Sequence, residues 1–441
     1  APSQAALSWN AAATENRLDS DAVVFEDFDI SAHANRLVPG DNVLAIQGLN
    51  IDLISSDLLI LPELIAVHVH EVDLSTVLEG YLVQPTPGAP NEGALAQIGP
   101  TIRDVTENPP PPDPDEDLVI TARVVQTLAP VVGVMLTWQV DLDVLARMET
   151  HGTVPMVDDG TGGDATAGDG VYTAIIPASA YEEGSLIRWR IDAVDSQGRT
   201  SRDPLFLRPD DSPEYYGTVA QDPTLSTSLP VLYWFSEQPA RTRTRSGGRA
   251  SVFFDGEFYD NVFVRERGAY TTNGSQKFVF NRGHKFRFSP EHPRVHEFNL
   301  NSTYSDKAYL RQNLAFESYD WCGCPGSESF PVRAQRNGQF YGVQIFIEEP
   351  EEELLEREGL DPDGALYKMY DTFNASGSAE KKTRRWEGQQ DLSSFRRAIN
   401  NASGAARHNN IFDYVNLPLT LNYLVATVLC HQNDHPHKNH Y

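Results

Sequence analysis

The stretch PVRAQRNGQFYGVQIFIE, Pro331–Glu348, reads as a strand, a tight turn and a second strand. Asn337-Gly338 is a dipeptide that two-residue hairpin turns select, because both central positions need positive φ. The predicted strands are Pro331–Ala334 and Tyr341–Glu348. Toward the N-terminus, Val231–Phe235, Ala250–Phe254, Asn261–Arg265, Lys277–Phe280 and His284–Phe288 are further strand-like runs, apolar and bounded by turn formers. The period then changes. Ser305–Tyr319 sets Leu310, Leu314 and Phe316 near helical spacing, with Ser305 as the expected N-cap. Glu351–Glu358 reads as an acidic helix, and Leu392–Ile399 and Leu417–Leu429 as apolar ones. Strands first and helices later make residues 211–441 an α+β domain.

Residues 96–210 read differently. Leu118–Val125, Val132–Val140, Val171–Ile176 and Ile187–Val194 are strand-length, rich in β-branched residues and separated by turns. An Ig-like or fibronectin-like β-sandwich is the expectation, with Trp138 in its core. Residues 1–95 hold fewer runs, among them Val43–Leu49 and Leu58–Leu61, and end in the linker QPTPGAPNEG, Gln84–Gly93. The N-terminal part is thus expected to be all-β, and the fold class as a whole mixed.

The 441-residue chain carries 62 Asp and Glu against 35 Lys and Arg, a net charge of −27. That balance argues against nonspecific binding to nucleic acid or anionic membrane. No run approaches the roughly 20 apolar residues of a membrane span. Solubility through self-repulsion fits a secreted or cell-surface protein. The charge is uneven, however. Residues 241–300 hold eleven Lys or Arg against six Asp or Glu, a candidate site for an anion or else a solvated basic face. Three cysteines, Cys322, Cys324 and Cys430, exclude a disulfide scaffold. Either a bond from one of the first two to Cys430 or three free thiols fits the spacing.

Two motifs carry candidate chemistry. Asp158 to Gly170 sets Asp158, Asp159, Asp164 and Asp169 among five glycines. Such a loop offers the oxygen donors that Ca²⁺ takes, and equally reads as a turn-rich hairpin. The second motif is HQNDHPHKNHY, His431–Tyr441, directly after the apolar helix Leu417–Leu429. Asp434 and Asn439 have the spacing by which a kinase catalytic Asp precedes a metal-binding Asn. The histidines alone offer no second ligand cluster for a transition metal.

FFDGEFYDNVFVRERG (Phe253–Gly268), FNLNSTYSDKAYLRQNLAFESY (Phe298–Tyr319), YGVQIFIEEP (Tyr341–Pro350), DPDGALYKM (Asp361–Met369) and NDHPHKNHY (Asn433–Tyr441) follow one another as in CotH-type atypical kinases, and the C-terminal half resembles that family. The resemblance implies an extracellular kinase-like domain that uses ATP with Mg²⁺ or Mn²⁺ to phosphorylate Ser or Thr of a protein substrate. Asp434 would be catalytic and Asn439 would hold Mg²⁺. Lys277 would touch the nucleotide phosphates and Glu317 would pair with it, with Lys368 as the rival lysine. NVLAIQGLN and SSDLLILPEL resemble the closing strands of jelly-roll modules that precede CotH domains in large bacterial surface proteins, so residues 1–95 are expected to be a partial jelly roll. The family's downstream Pro-Trp-Asp-x-Asp metal motif is not present, so the domain is expected to be C-terminally truncated and inactive as it stands. The competing expectation is a non-catalytic surface or matrix protein with neighbouring subunits as partners. Glycan binding is a third, for which no aromatic platform stands out.

Overall fold

The computed structural model describes residues 97–441 except 144–147, 269–273, 305, 371–378 and 433–440, together with five isolated earlier positions. The chain divides into two units, Ala1–Leu78 and Glu79–Tyr441. The jelly-roll expectation for residues 1–95 lies outside the described residues, as do Asp434 and Asn439.

Two sheets face each other over one apolar core in the first part of the second unit. One sheet comprises β1 (Thr101–Asn108), β2 (Leu118–Val125) and β5 (Val171–Ile176). The other is ordered β4 (Met148–Pro155), β3 (Val131–Asp143), β6 (Leu186–Asp195) and β7 (Thr200–Asp203), with β8 (Tyr216–Val219) also on β6. Strand alternation explains the core. Leu118, Ile120, Ala122 and Val124 point inward from β2, facing Leu136, Trp138, Ile187, Trp189 and Ile191. Trp138 lies opposite Gly152 in register, and a Cβ there would stand 2.6 Å from the indole, so only glycine admits the ring.

β8 leads into the second part. Leu186 and Val219 pack against Phe235 and Phe253, so the sandwich and the following domain share a small apolar seam. Asp260, buried, accepts from the backbone N–H groups of Glu214 and Tyr215 at 2.9 and 3.0 Å, from Arg249 at 3.2 Å and from Ser251 at 2.8 Å. One carboxylate thereby ties the connecting segment to the strand that carries it.

The second part is a closed barrel. β9 (Val231–Phe235), β10 (Gly248–Phe254), β11 (Glu257–Glu266), β12 (Gln276–Val279), β13 (Glu297–Ser302), β14 (Ser329–Arg336) and β15 (Gln339–Glu348) are ordered β10-β11-β12-β13-β15-β14-β9. All neighbours are antiparallel except β9 and β14, whose parallel pairing closes the ring. Asn337 and Gly338 have φ of 50° and 74°, as the expected hairpin turn demands, and Asp255-Gly256 repeats the geometry between β10 and β11. Trp234, Phe278, Phe280, Phe298 and Phe346 fill the interior. Phe286 completes it from the loop between β12 and β13. The expected strand His284–Phe288 is thus an irregular segment with one bridge, Phe286 to Val295, because its buried ring plugs the barrel instead of extending the sheet.

α1 (Arg311–Trp321) begins six residues later than expected. Asp306 accepts from the N–H groups of Ala308 and Arg311 at 3.1 and 2.8 Å, which holds a turn ahead of the helix. α2 (Glu352–Arg357), the hairpin β16 (Tyr367–Met369) and β17 (Ala379–Lys381), α3 (Gln390–Asn400), α4 (Gly404–Tyr414) and α5 (Leu417–Leu429) follow. Asn416 caps α5 by accepting from Leu419 N–H, and Tyr319 of α1 meets Thr427 of α5 hydroxyl to hydroxyl at 3.0 Å. Among the described residues no helix is long and apolar enough to cross a membrane.

Phe298 stacks on Phe278 at 4.8 Å and meets Phe286 and Phe346 at 4.7 and 5.0 Å between ring centres. Phe298→Ala should cost about 3–5 kcal/mol. Urea unfolding should show a lower midpoint with an unchanged slope. A loss under about 1 kcal/mol would contradict this account of the barrel's filling.

Candidate functional site

Strand alternation that sends Phe278 into the barrel sends Lys277 out of it. Lys277 sits in register between Arg265 of β11 and Asn299 of β13. Its side chain is buried, and its ammonium pairs with Glu297, two residues before Asn299, and with Glu349 at 3.3 Å. Glu349 lies just past β15. It also accepts from the Asn299 amide and from Lys382 at 2.9 Å. Lys382 follows β17 and reaches Glu351 at 3.5 Å and Glu380 at 3.7 Å, while Arg385 also bonds Glu351. Two strands, β12 and β13, the segment after β15 and the β16–β17 hairpin thus converge on one buried charged cluster.

The cluster is unevenly satisfied. Burial alone would raise the Glu349 carboxyl, but Lys277 and Lys382 outweigh it and hold the group well below the usual carboxylate range. Glu351 goes the other way. Burial, aided by the Glu297 carboxylate, pushes it up to about 7 against the pull of Lys382 and Arg385. For Lys382, three carboxylates overcome burial and keep the ammonium above its ordinary value. Lys368 of β16 stands beside this network without a carboxylate in ion-pair range among the described residues, lying over the rings of Tyr370 and Tyr441 at 5.4 and 5.6 Å. Burial depresses its pKa, and Arg267 and Lys382 add to the effect. Arg267, just beyond β11, donates to Asn301 at 2.6 Å. Four buried or half-buried cations, Arg267, Lys277, Lys368 and Lys382, therefore meet four carboxylates, Glu297, Glu349, Glu351 and Glu380, with Arg385 more than half exposed at the rim. Because Lys368 and Arg267 are not paired to these carboxylates among the described residues, their charge favours an anion.

The expected pairing of Lys277 with Glu317 does not form. Glu317 is exposed on α1, and the partners of Lys277 are Glu297 and Glu349. α1 approaches the cluster only through Gln312, whose side chain accepts from Asn301. Glu348 is structural: buried, it binds Arg357 at 2.7 Å and the N–H of Glu328. Its neighbour Glu349 faces the cluster, because successive strand residues point to opposite sides. The sequence reading named Lys277 and Lys368 and missed Glu297, Glu349, Glu351 and Lys382. EEP after a strand and EKK in the β17 segment were the available signals, and acidic and basic doublets on surfaces are too common to decide. The helix expected to precede Asp434 is present as α5.

In the sandwich loop, carboxylate oxygens of Asp158, Asp164 and Asp169 lie within 4.8 Å of one another. They are hard donors of the type Ca²⁺ takes. Each is also engaged by backbone: Asp158 accepts from Gly168, Asp169 and Gly170, Asp164 from Gly160, and Asp169 from Val171. Asp159 turns aside to Thr161. The second acidic group, Glu351, Glu352 and Glu353, follows β15, with Glu353 paired to Lys285 at 2.5 Å. Cys322, Cys324 and Cys430 are all free thiols.

Glu351 makes the fold pH-dependent in a definite direction. With a folded value of about 7 against an ordinary 4.5, the folded state holds the extra proton between those values. Its contribution is therefore complete below 4.5 and fades as pH rises to 7. The loss should be about 1–3 kcal/mol. Glu349 acts in another window, losing its contribution as pH falls below 4.5. Melting temperatures from pH 4.5 to 8 should fall less steeply for Glu351→Gln than for the parent chain. Parallel curves would show that Glu351 is not the titrating group.

No curated protein matches the chain. One family model does, that of the CotH kinase protein, over residues 264–441. The match starts within β11, whereas closing the barrel also needs β9 and β10, so the structural domain extends N-terminally beyond it. It spans the strand bearing Lys277, the segment of Glu349 and Glu351, the β16–β17 hairpin and α5, so over these residues the chain is similar to CotH kinase proteins.

Proposed function

We infer that the charged cluster on the outer face of β12 and β13 is a nucleotide-phosphate site, and that the domain transfers phosphate from ATP to Ser or Thr of a protein. The observation that carries this reading is the cluster of cations around Lys277, in which Lys368 and Arg267 are uncommitted to any carboxylate among the described residues. Similarity to CotH kinase proteins supports ATP and a divalent metal as cofactors. A bound Mg²⁺ or Mn²⁺ would neutralise charge developing on the transferred phosphoryl group. The residues assigned to that chemistry are Asp434, orienting the acceptor hydroxyl, and Asn439, holding the metal. Lys277, Lys368 and Arg267 bind and orient the phosphates. Displacement of Glu297 or Glu349 by phosphate oxygens frees Lys277 for this role.

A second reading rests on the same lysine. Lys277 is held by two carboxylates on barrel elements and not by Glu317 of α1, an arrangement that also suits a non-catalytic scaffold in a secreted or surface assembly. The acidity of the chain and its two-sheet β-module support an extracellular location under either reading.

Calorimetry with ATP and Mg²⁺ or Mn²⁺ separates the two. Nucleotide binding should be metal-dependent. Lys277→Met should weaken it about ten-fold or more, a loss of at least about 1.4 kcal/mol. Asp434→Ala should abolish phosphotransfer to protein. Absence of binding in the parent chain, with Lys277→Met merely lowering the melting temperature, would leave the scaffold reading.

A further inference from the structure

One end of the barrel is lined with arginines. Arg241 and Arg243 belong to the short 3-10 turn between β9 and β10, Arg245 follows it, and all three are exposed. Arg265 near the end of β11 and Arg333 and Arg336 of β14 continue the series. Because the strand order runs β14-β9-β10-β11, Arg241, Arg243, Arg245, Arg265 and Arg336 gather toward the end where β9 finishes and β10 begins, while Arg333, in register with Val231 at the start of β9, stands farther along the outer face. Among the described residues none of them has a carboxylate in ion-pair range. Their contacts are neutral: Arg241 donates to Gln238 at 3.3 Å, Arg245 to the carbonyl of Gly268, and Arg265 to the carbonyl of Glu266 at 3.3 Å. Arg333 lies over Phe340 at 4.6 Å and Arg336 over Tyr341 at 4.2 Å. Arg333 Nε and Arg336 Nη1 are buried donors without an acceptor. Glu237, the nearby acid of the β9–β10 loop, is turned to Arg188 at 3.7 Å.

Arginines on neighbouring elements such as Arg249, Arg287 and Arg294 are each held by carboxylates, whereas this group is not, which leaves its guanidinium charge available to anions from outside. The arc also runs into the site. Arg245 holds Gly268, next to Arg267, and Arg265 is in register with Lys277. Alongside lies a cleft of about 650 Å³ of mixed charge, bordered by Arg241 and Arg249, by Asp210 and Glu237, and by the half-exposed Phe263, which suits a side chain with an apolar body.

We propose that this arginine arc docks an acidic polypeptide segment, the substrate class of the phosphotransfer site. The inference rests on the kinase reading for the word substrate and on the arc alone for binding. Guanidinium forks pair with carboxylates two bonds at a time. A short acidic segment engages the arc locally, whereas a long uniform polyanion meets repulsion from the rest of a chain of charge −27.

Fluorescence anisotropy with a serine-containing Glu/Asp-rich peptide and a matched Lys/Arg-rich peptide tests this on the full chain. The acidic peptide should bind about ten-fold or more tighter than the basic one. The double variant Arg241→Ala and Arg243→Ala changes only exposed side chains. It should weaken acidic-peptide binding about ten-fold while leaving the melting curve and ATP calorimetry unchanged. Equal binding of both peptides, or a double variant that binds as the parent does, overturns the inference. Tighter binding of a sulfated polysaccharide or single-stranded RNA than of the acidic peptide overturns the polypeptide class. Peptide binding that survives in a chain unable to bind ATP upholds the docking surface and removes only the kinase reading.

Discussion

Closure of the barrel through the parallel pairing of β9 with β14 is the constraint on which the C-terminal domain depends. An open sheet of seven strands would leave two edges unpaired and its aromatic face half covered. Closing it removes the edges and encloses Trp234, Phe278, Phe280, Phe298 and Phe346 on all sides, with Phe286 as a plug. Once the interior is reserved for rings, strand geometry leaves no choice for the residues between them. Lys277 next to Phe278, and Glu297 and Asn299 on either side of Phe298, must face outward. The charged cluster follows from the packing of the core.

Polar residues facing outward on a sheet are ordinarily solvated. Here the segment after β15 and the β16–β17 hairpin fold over them, so that Lys277 and Lys382 are as buried as core residues. Desolvated charges at this density are tolerated only in mutual compensation. The compensation is incomplete: burial pushes the Glu351 carboxyl up to about 7, and among the described residues Lys368 rests on aromatic rings without a carboxylate in ion-pair range. A site whose charges balanced fully would have little affinity for an incoming anion. On the phosphate-site reading, the positive charge of Lys368 and Arg267 is what would hold an anion, and the neighbouring arginines extend that charge along the barrel end.

The sandwich is coupled to the barrel by a shared apolar seam and by the buried Asp260 carboxylate. Motion of one against the other would have to strip that carboxylate of the Glu214 and Tyr215 N–H donors. The modular order of the sequence therefore does not imply independently moving modules within Glu79–Tyr441.

Local patterns were legible without the fold. β2, β5, β9 and α5 occupy the residues read from periodicity, and Asn337-Gly338 turns where its backbone preference places it. These features depend on neighbours within a few residues, so the chain encodes them directly. Strands with weak alternation, such as β1, β4, β13 and β16, were missed because pairing partners far along the chain hold them in place. The basic stretch at 241–300 was visible as composition, but which arginines lack a carboxylate was not. The partners of Lys277 were equally hidden: Glu317 is a helix residue at plausible distance in sequence, yet barrel closure brings Glu297 and Glu349 to the lysine instead. The sequence by itself determined the local elements, the family resemblance and the charge. Only the tertiary structure decided which charges meet, because ion pairing depends on separation in space, and closing the barrel sets that separation between residues up to 105 apart in the chain, as with Lys277 and Lys382 on Glu349.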